Sequence, residues 1–165
     1  MRLLGLLALF ASVTLIGFAK SRSLKARALA IEQAARLTGE LGIRMRFSAQ
    51  QTAAVLHSLA QSGKYDRLPF LQQWAQAVEV GKAPEAALAG VLGQGTLGVE
   101  AAQQLLRLAA SLGRYDGVTL AGICEEFAQR LHEYATEAMD VYRDKGRLYR
   151  GLGVYGGAAL VIILI

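Results

Sequence analysis

Hydrophobic and polar positions divide the chain into three stretches with different patterns. Residues 3–19, LLGLLALFASVTLIGFA, carry no charge, and neither do residues 151–165, GLGVYGGAALVIILI. Between them, apolar residues recur every three or four positions, the spacing that lines one face of an α-helix. Ala is abundant there and only Pro69 and Pro84 interrupt, so little reads as strand. The expected fold is all-α: about six antiparallel helices in a bundle, flanked by two short apolar helices.

The same pattern places the helices. The first is predicted from about residue 20 to 41, with Leu24, Ala28, Ile31 and Ala35 on one face. The second starts at Ser48, where Gln51 three residues on completes a capping box, and ends near Ser62. A third covers residues 68–80 with Pro69 in its first turn, and Pro84 opens a fourth that reaches about Leu92. GQGTLG at residues 93–98 lacks the preceding strand and following Lys-Ser/Thr of a phosphate loop, so it reads as a connection. A fifth helix follows over residues 99–112. The sixth begins after Asp116 and extends to about Leu148, and it could run on into the terminal apolar stretch.

Two stripes mark the sixth helix. Ile123, Phe127, Leu131, Tyr134, Ala138 and Val141 are predicted to pack inward. Turned away from them, Glu126, Glu133, Glu137, Asp140 and Asp144 form an acidic line interrupted only by Arg130. That line is either a solvated face or a docking surface for a basic partner.

One short string occurs twice, as SGKYD at residues 62–66 and LGRYD at residues 112–116. Gly63 and Gly113 suit the position just past a helix, where a left-handed backbone is needed. Asp66 and Asp116 suit the N-cap of the next helix, and Tyr65 and Tyr115 can cover the junction. At the offset of 50 residues Ala60 also matches Ala110, but Ser62 faces Leu112 and Trp74 faces Cys124. A duplicated three-helix unit and two independent solutions of one capping problem both remain open.

Charge changes the reading of the apolar ends. At 17 and 15 residues they give about 25 and 22 Å of helix against a hydrocarbon core of about 30 Å, short for a span. Yet Lys20, Arg22, Lys25 and Arg27 follow the first run, and Lys145, Arg147 and Arg150 precede the second. The positive-inside rule then puts the middle in the cytoplasm and both ends in the membrane. The division is an N-terminal anchor at residues 1–19, a helical bundle at 20–150 and a C-terminal anchor at 151–165. The rival is a cleaved signal peptide, since GFA before Lys20 has small residues at cleavage spacing. Gly153 with Gly157, and Ala8 with Ser12, form small-x-x-x-small pairs that would seat the anchors on each other or on a neighbour.

Composition alone would mislead. The chain is 53% hydrophobic with a net charge of +5 and a pI near 9.6, which raises nucleic acid as a partner. Eight of the 18 basic residues flank the apolar runs, and residues 28–144 hold 10 basic against 13 acidic, a net of −3. No nucleic-acid binding is expected. Cys124 stands alone, and His57 and His132 have no ligand-spaced companions. No catalytic set, cofactor, metal site or small-molecule substrate is expected. The alternative is a membrane-tethered helical enzyme or adaptor, which would need a buried polar cluster around His57, His132 or the tyrosines.

The segment KGRLYRGLGVYGGAALVIILI after a long amphipathic helix, SLGRYDG at residues 111–117 and the opening MRLLGLLALF together resemble the stage III sporulation protein AB family. RMRFSAQQTAAVL departs from it, lacking the proline of the family's Thr-Pro-Leu-like element. The resemblance implies a scaffold whose helical domain is similar to the cytoplasmic domain of the inner-membrane platform protein F of type II secretion and type IV pilus systems. It further implies a place in the mother-cell membrane around the forespore, in a secretion-like channel complex. The implied partners are a cytoplasmic secretion-type ATPase and the other ring- or membrane-forming subunits of that complex.

Overall fold

A computed structural model describes residues 2–47, 51–92 and 97–164. Among these there are six helices and no strand: α1 (Arg2–Phe47), α2 (Thr52–Gln61), α3 (Phe70–Glu79), α4 (Pro84–Val91), α5 (Val99–Ser111) and α6 (Gly117–Leu164). α1 and α6, of 46 and 48 residues, run without a break through the junctions between charged and apolar sequence. Nothing in those junctions stops a helix, because neither contains proline.

Helix ends differ from expectation where tertiary packing overrides local signals. α1 passes the expected end at Leu41 and continues to Phe47. Gly42 is no stop here: it is buried, and a Cβ added to it would stand 2.6 Å from the Cβ of Cys124 on α6. The capping box at Ser48 lies outside the described residues. Gln51 occupies the N-cap of α2 without a side-chain hydrogen bond. Pro69 precedes α3 as its N-cap residue rather than sitting in its first turn, because Tyr65 and Leu68 carbonyls first accept the N–H groups of Leu68 and Leu71 in a separate turn. Pro84 opens α4 as its first residue.

The chain divides into two compact units, Leu29–Ala135 in one and Met1–Ala28 with Thr136–Ile165 in the other. In the first unit α2 packs on α3, α3 on α4 and α4 on α5. Its core is formed by fully buried Ile31, Leu37, Leu56, Leu59, Trp74, Leu88, Leu105, Leu108, Leu120 and Leu131. The Trp74 indole N–H donates to the Pro84 carbonyl at 2.9 Å, which satisfies its one polar atom inside the core.

The inward face of α6 in this unit is rotated from the predicted stripe. Leu120, Cys124, Leu131 and Ala135 are buried, whereas Ile123, Phe127 and Tyr134 are half-buried. The reason is steric. α1 presents Gly39 and Gly42, and α6 answers with Ala128 and Cys124, so small residues line a seam that a pattern weighted by large side chains misses.

The second unit is a pair of helical segments. Gly17 and Ser21 of α1 and Gly146 of α6 are buried, and a Cβ on Gly146 would lie 3.1 Å from Ser21 Oγ. Ala138 is half-buried and Val141 is 38% exposed, so the predicted inward stripe weakens along this part of α6. Among the described residues no helix is long and apolar enough to cross a membrane. Much of both apolar runs, and with them Ala8, Gly153 and Gly157, has side chains outside the described set. Ser12, the partner proposed for Ala8, is exposed.

Candidate functional site

The residue types of the second unit are inverted relative to those of a water-soluble bundle. Its interior holds Gly17, Ser21 and Gly146, while Leu15, Ile16, Leu148, Leu152 and Tyr155 are each more than 60% exposed. Small residues inside let two helix backbones approach closely, and large apolar residues outside suit a surrounding that is itself apolar. The contact of Ser21 with Gly146 also fixes the register of the two basic clusters. It sets Lys20 and Arg22 level with Lys145 and Arg147, all four exposed, as one positive collar around the helix pair.

The acidic line of α6 is exposed throughout. Glu126 and Glu133 belong to the first unit, Glu137, Asp140 and Asp144 to the second. Glu126 accepts from Arg130 at 2.6 Å and Asp140 from Arg143 at 3.3 Å. Glu133, Glu137 and Asp144 have no ion-pair partner among the described residues.

The repeated string makes two unlike turns. Gly63 and Gly113 both have positive φ, 68° and 84°, and both follow the last residue of a helix by two positions. Beyond the glycines the copies diverge. Asp116 caps α6: its Oδ2 accepts the N–H groups of Val118 and Thr119 at 3.2 and 3.3 Å. Hydrogen bonds from the Thr119 side chain and then from these N–H groups hold its carboxyl below the ordinary range. Asp66 is not an N-cap, since α3 starts four residues later. Its Oδ1 instead accepts from Gln33 Nε2 at 2.6 Å, and Gln33 Oε1 accepts the Arg67 N–H at 3.0 Å. The Gln33 bond is the main cause that keeps the Asp66 carboxyl low.

The tyrosines diverge in the same way. Tyr115 is 53% exposed, whereas Tyr65 is buried and donates its hydroxyl to Glu40 Oε2 at 2.7 Å. Glu40 also accepts from Arg44 at 2.6 Å. Burial, then the bond to Glu40, pushes the Tyr65 hydroxyl well above its ordinary value, while the Tyr65 bond is the first cause that lowers Glu40. A phenol held this firmly protonated is a poor proton donor at neutral pH. Gln33 and Glu40, seven residues apart on one face of α1, were not apparent from the sequence as partners of the 65–67 turn. Their signal was two polar residues two turns apart beside the buried Leu37 and Leu41.

Each histidine finds one carboxylate from a distant segment. His57 lies 3.3 Å from Glu79 and His132 2.9 Å from Glu32. Arg44, Gln51, His57, Ser58, Gln61 and Glu79 are among the residues lining an open groove of about 730 Å³. Its polar groups are directed at one another: Arg44 donates to Ser58, and His57 engages both Gln61 and Glu79. Burial raises the Cys124 thiol to about 12, where a thiolate nucleophile is scarce at neutral pH. Among the described residues no group of three or more His, Cys, Asp or Glu could hold a metal ion.

Residues 2–165 match the family model described as stage III sporulation protein AB. The chain belongs to the stage III sporulation protein AB family. The match spans both apolar ends as well as the helices between them, so membership ties the whole chain to sporulation. It also covers the proline-free stretch around residues 44–56, whose departure from the family pattern therefore does not place the chain outside it. None of the curated proteins and none of the solved structures matches it.

Proposed function

We propose that this chain is a non-enzymatic integral membrane scaffold of the secretion-like channel complex between mother cell and forespore. In this reading its two ends insert in the mother-cell membrane and its helical bundle faces the cytoplasm, engaging the ATPase and the membrane or ring subunits of the complex. The observation that carries the reading is the inverted unit, with Gly17, Ser21 and Gly146 inside and Leu15, Ile16, Leu152 and Tyr155 outside. Family membership supports the sporulation setting.

Physical chemistry supplies the rest. Water penalises the five large apolar side chains held outward on one helix pair, Leu15, Ile16, Leu148, Leu152 and Tyr155, and acyl chains do not. The short apolar runs are accommodated by local bilayer thinning and by Lys and Arg side chains that extend to the headgroups. The exposed collar of Lys20, Arg22, Lys145 and Arg147 sits where anionic headgroups would meet it. α6 is a single helix from Gly117 to Leu164, so force on its acidic residues would pass to the terminal segment through continuous backbone.

The test is topology in native cells, with one cysteine at Val80, which is 83% exposed, or one at Ile165, in a Cys124→Ala background. An impermeant thiol reagent should reach the Ile165 probe from outside and the Val80 probe only after permeabilisation. Labelling of Val80 in intact cells overturns the cytoplasmic bundle and the ATPase contact with it.

A further inference from the structure

In the compact unit Leu29–Ala135, four large apolar side chains face solvent together. Ile43 and Phe47, one turn apart on α1, are 62% and 81% exposed, and Tyr115 and Val118, around the start of α6, are 53% and 64% exposed. Gly117 brings them together, since its backbone packs so tightly on the Met45 carbonyl that an added Cβ would lie 2.5 Å from the oxygen. The other large apolar residues exposed in this unit, Val80 and Val99, stand singly at helix ends. Single exposures are ordinary, whereas a cluster marks an interaction surface.

Charge at the cluster has one sign available. Arg46 and Arg114 are exposed and have no carboxylate partner among the described residues. The Arg46 guanidinium is held 5.7 Å over the Phe47 ring, which orients its planar donor fork at the edge of the apolar patch. The nearby carboxylates are occupied. Asp116 accepts the first N–H groups of α6, and Glu40 accepts from Tyr65 and Arg44.

We infer that this surface docks a different protein, one that presents an apolar helix face flanked by carboxylates. A second copy of the chain does not fit through its acidic line, because α6 exposes no large apolar residue between Val118 and Val141 to accompany Glu126 and Glu133. A lipid surface is also a poor match, since two guanidinium groups contribute only about 1 kcal/mol each at an anionic membrane. The inference rests on the scaffold reading for its purpose and on the exposed cluster for its geometry.

The test places a photoreactive benzoylphenylalanine at Tyr115, or at Glu133 for comparison, in the full chain in native sporulating cells. The Tyr115 probe should give a protein adduct whose crosslinked peptide belongs to another protein and combines apolar residues with Asp or Glu. Reversing Arg46→Glu and Arg114→Glu together should lower that yield about tenfold without changing the thermal melt of the purified chain. An adduct only with a second copy, an adduct only with lipid, no adduct, or a yield indifferent to the charge reversal each overturns the inference. Adducts at Glu133 alone would move the docking surface and keep the scaffold, whereas silence at both positions would remove both.

Discussion

The two compact units of this chain solve the packing of helices in opposite ways. In Leu29–Ala135 the largest side chains go inside: Trp74, Ile31 and nine fully buried leucines fill the core, and the charged residues of α6 face out. In the unit formed by the two ends, Gly17, Ser21 and Gly146 are inside, and Leu15, Ile16, Leu152 and Tyr155 are outside. Both arrangements bring α1 and α6 together through small residues, but only the first makes hydrophobic burial the source of stability. The second makes sense when the surroundings supply no hydrophobic drive and close backbone contact must do the work.

The contrast is sharpest in what truncation should do. Trp74→Ala, in the core, should destabilise the purified chain by about 3–5 kcal/mol. Leu152→Ala, on the outer face, should change stability in detergent by less than about 0.5 kcal/mol. Denaturant unfolding of the two variants side by side measures the difference. Equal losses would erase the distinction between the units.

A charge on the outer face probes its surroundings. Ile16→Lys is 69% exposed in the parent, so in water it should be harmless. Toward the centre of a bilayer a lysine costs about 2.5–3.5 kcal/mol, and less toward the interface. The variant should therefore be enriched in the carbonate-extractable fraction of cell membranes, and unchanged extraction would count against insertion.

The glycine seam gives a smaller effect. Gly42→Ala forces a Cβ to 2.6 Å from that of Cys124 and 3.3 Å from the Ala121 carbonyl, an overpacking loss of about 1–3 kcal/mol. Cys124→Gly in the same chain should recover part of it. If the single variant melts like the parent, the close approach of α1 and α6 is not tight.

The smallest expected effect separates the two copies of the repeated string. Tyr65→Phe removes a hydroxyl bonded to Glu40 and should cost about 1 kcal/mol, whereas Tyr115→Phe, on an exposed ring, should cost almost nothing. The pH dependence has a defined sign. Tyr65 is raised above its ordinary value of 10.0, so its contribution is full below about pH 10 and is lost as pH rises through the folded value. Glu40 is lowered from 4.5, so its contribution is present above that value and fades as pH falls. Tyr65→Phe should flatten the alkaline limb of the stability profile and also weaken the acid loss, because the Tyr65 bond is the first cause that lowers Glu40 and only the smaller contributions of Arg44 and Lys64 remain.

Much of the fold was legible because helical periodicity and two prolines dominate the middle of the chain. α4 and α5 begin at the predicted Pro84 and Val99, and α6 begins right after the predicted cap at Asp116. What local rules could not supply was the neighbour. Asp66 and Asp116 sit in the same four-residue string, yet Gln33 of α1 captures Asp66 while Asp116 meets the bare N–H groups of α6. Gly42 looks like a stop and is a contact. Cys124 is buried on α6 because Gly42 faces it, and a stripe drawn through Ile123 and Phe127 is rotated by about a residue because small residues line that seam. The candidate surfaces followed the same rule. The acidic line was visible at its spacing, whereas the cluster of Ile43, Phe47, Tyr115 and Val118 exists only because Gly117 packs on Met45.

The most direct test of the opposed units is a nitroxide scan of the full chain in lipid nanodiscs, with single labels at Leu15, Leu152, Val80 and Glu133 in a Cys124→Ala background. Collision with oxygen, which concentrates in acyl chains, should dominate at Leu15 and Leu152, and collision with a water-soluble nickel chelate should dominate at Val80 and Glu133. Nickel-dominated relaxation at Leu15 and Leu152 would show that the outward apolar face meets water, and would contradict the account.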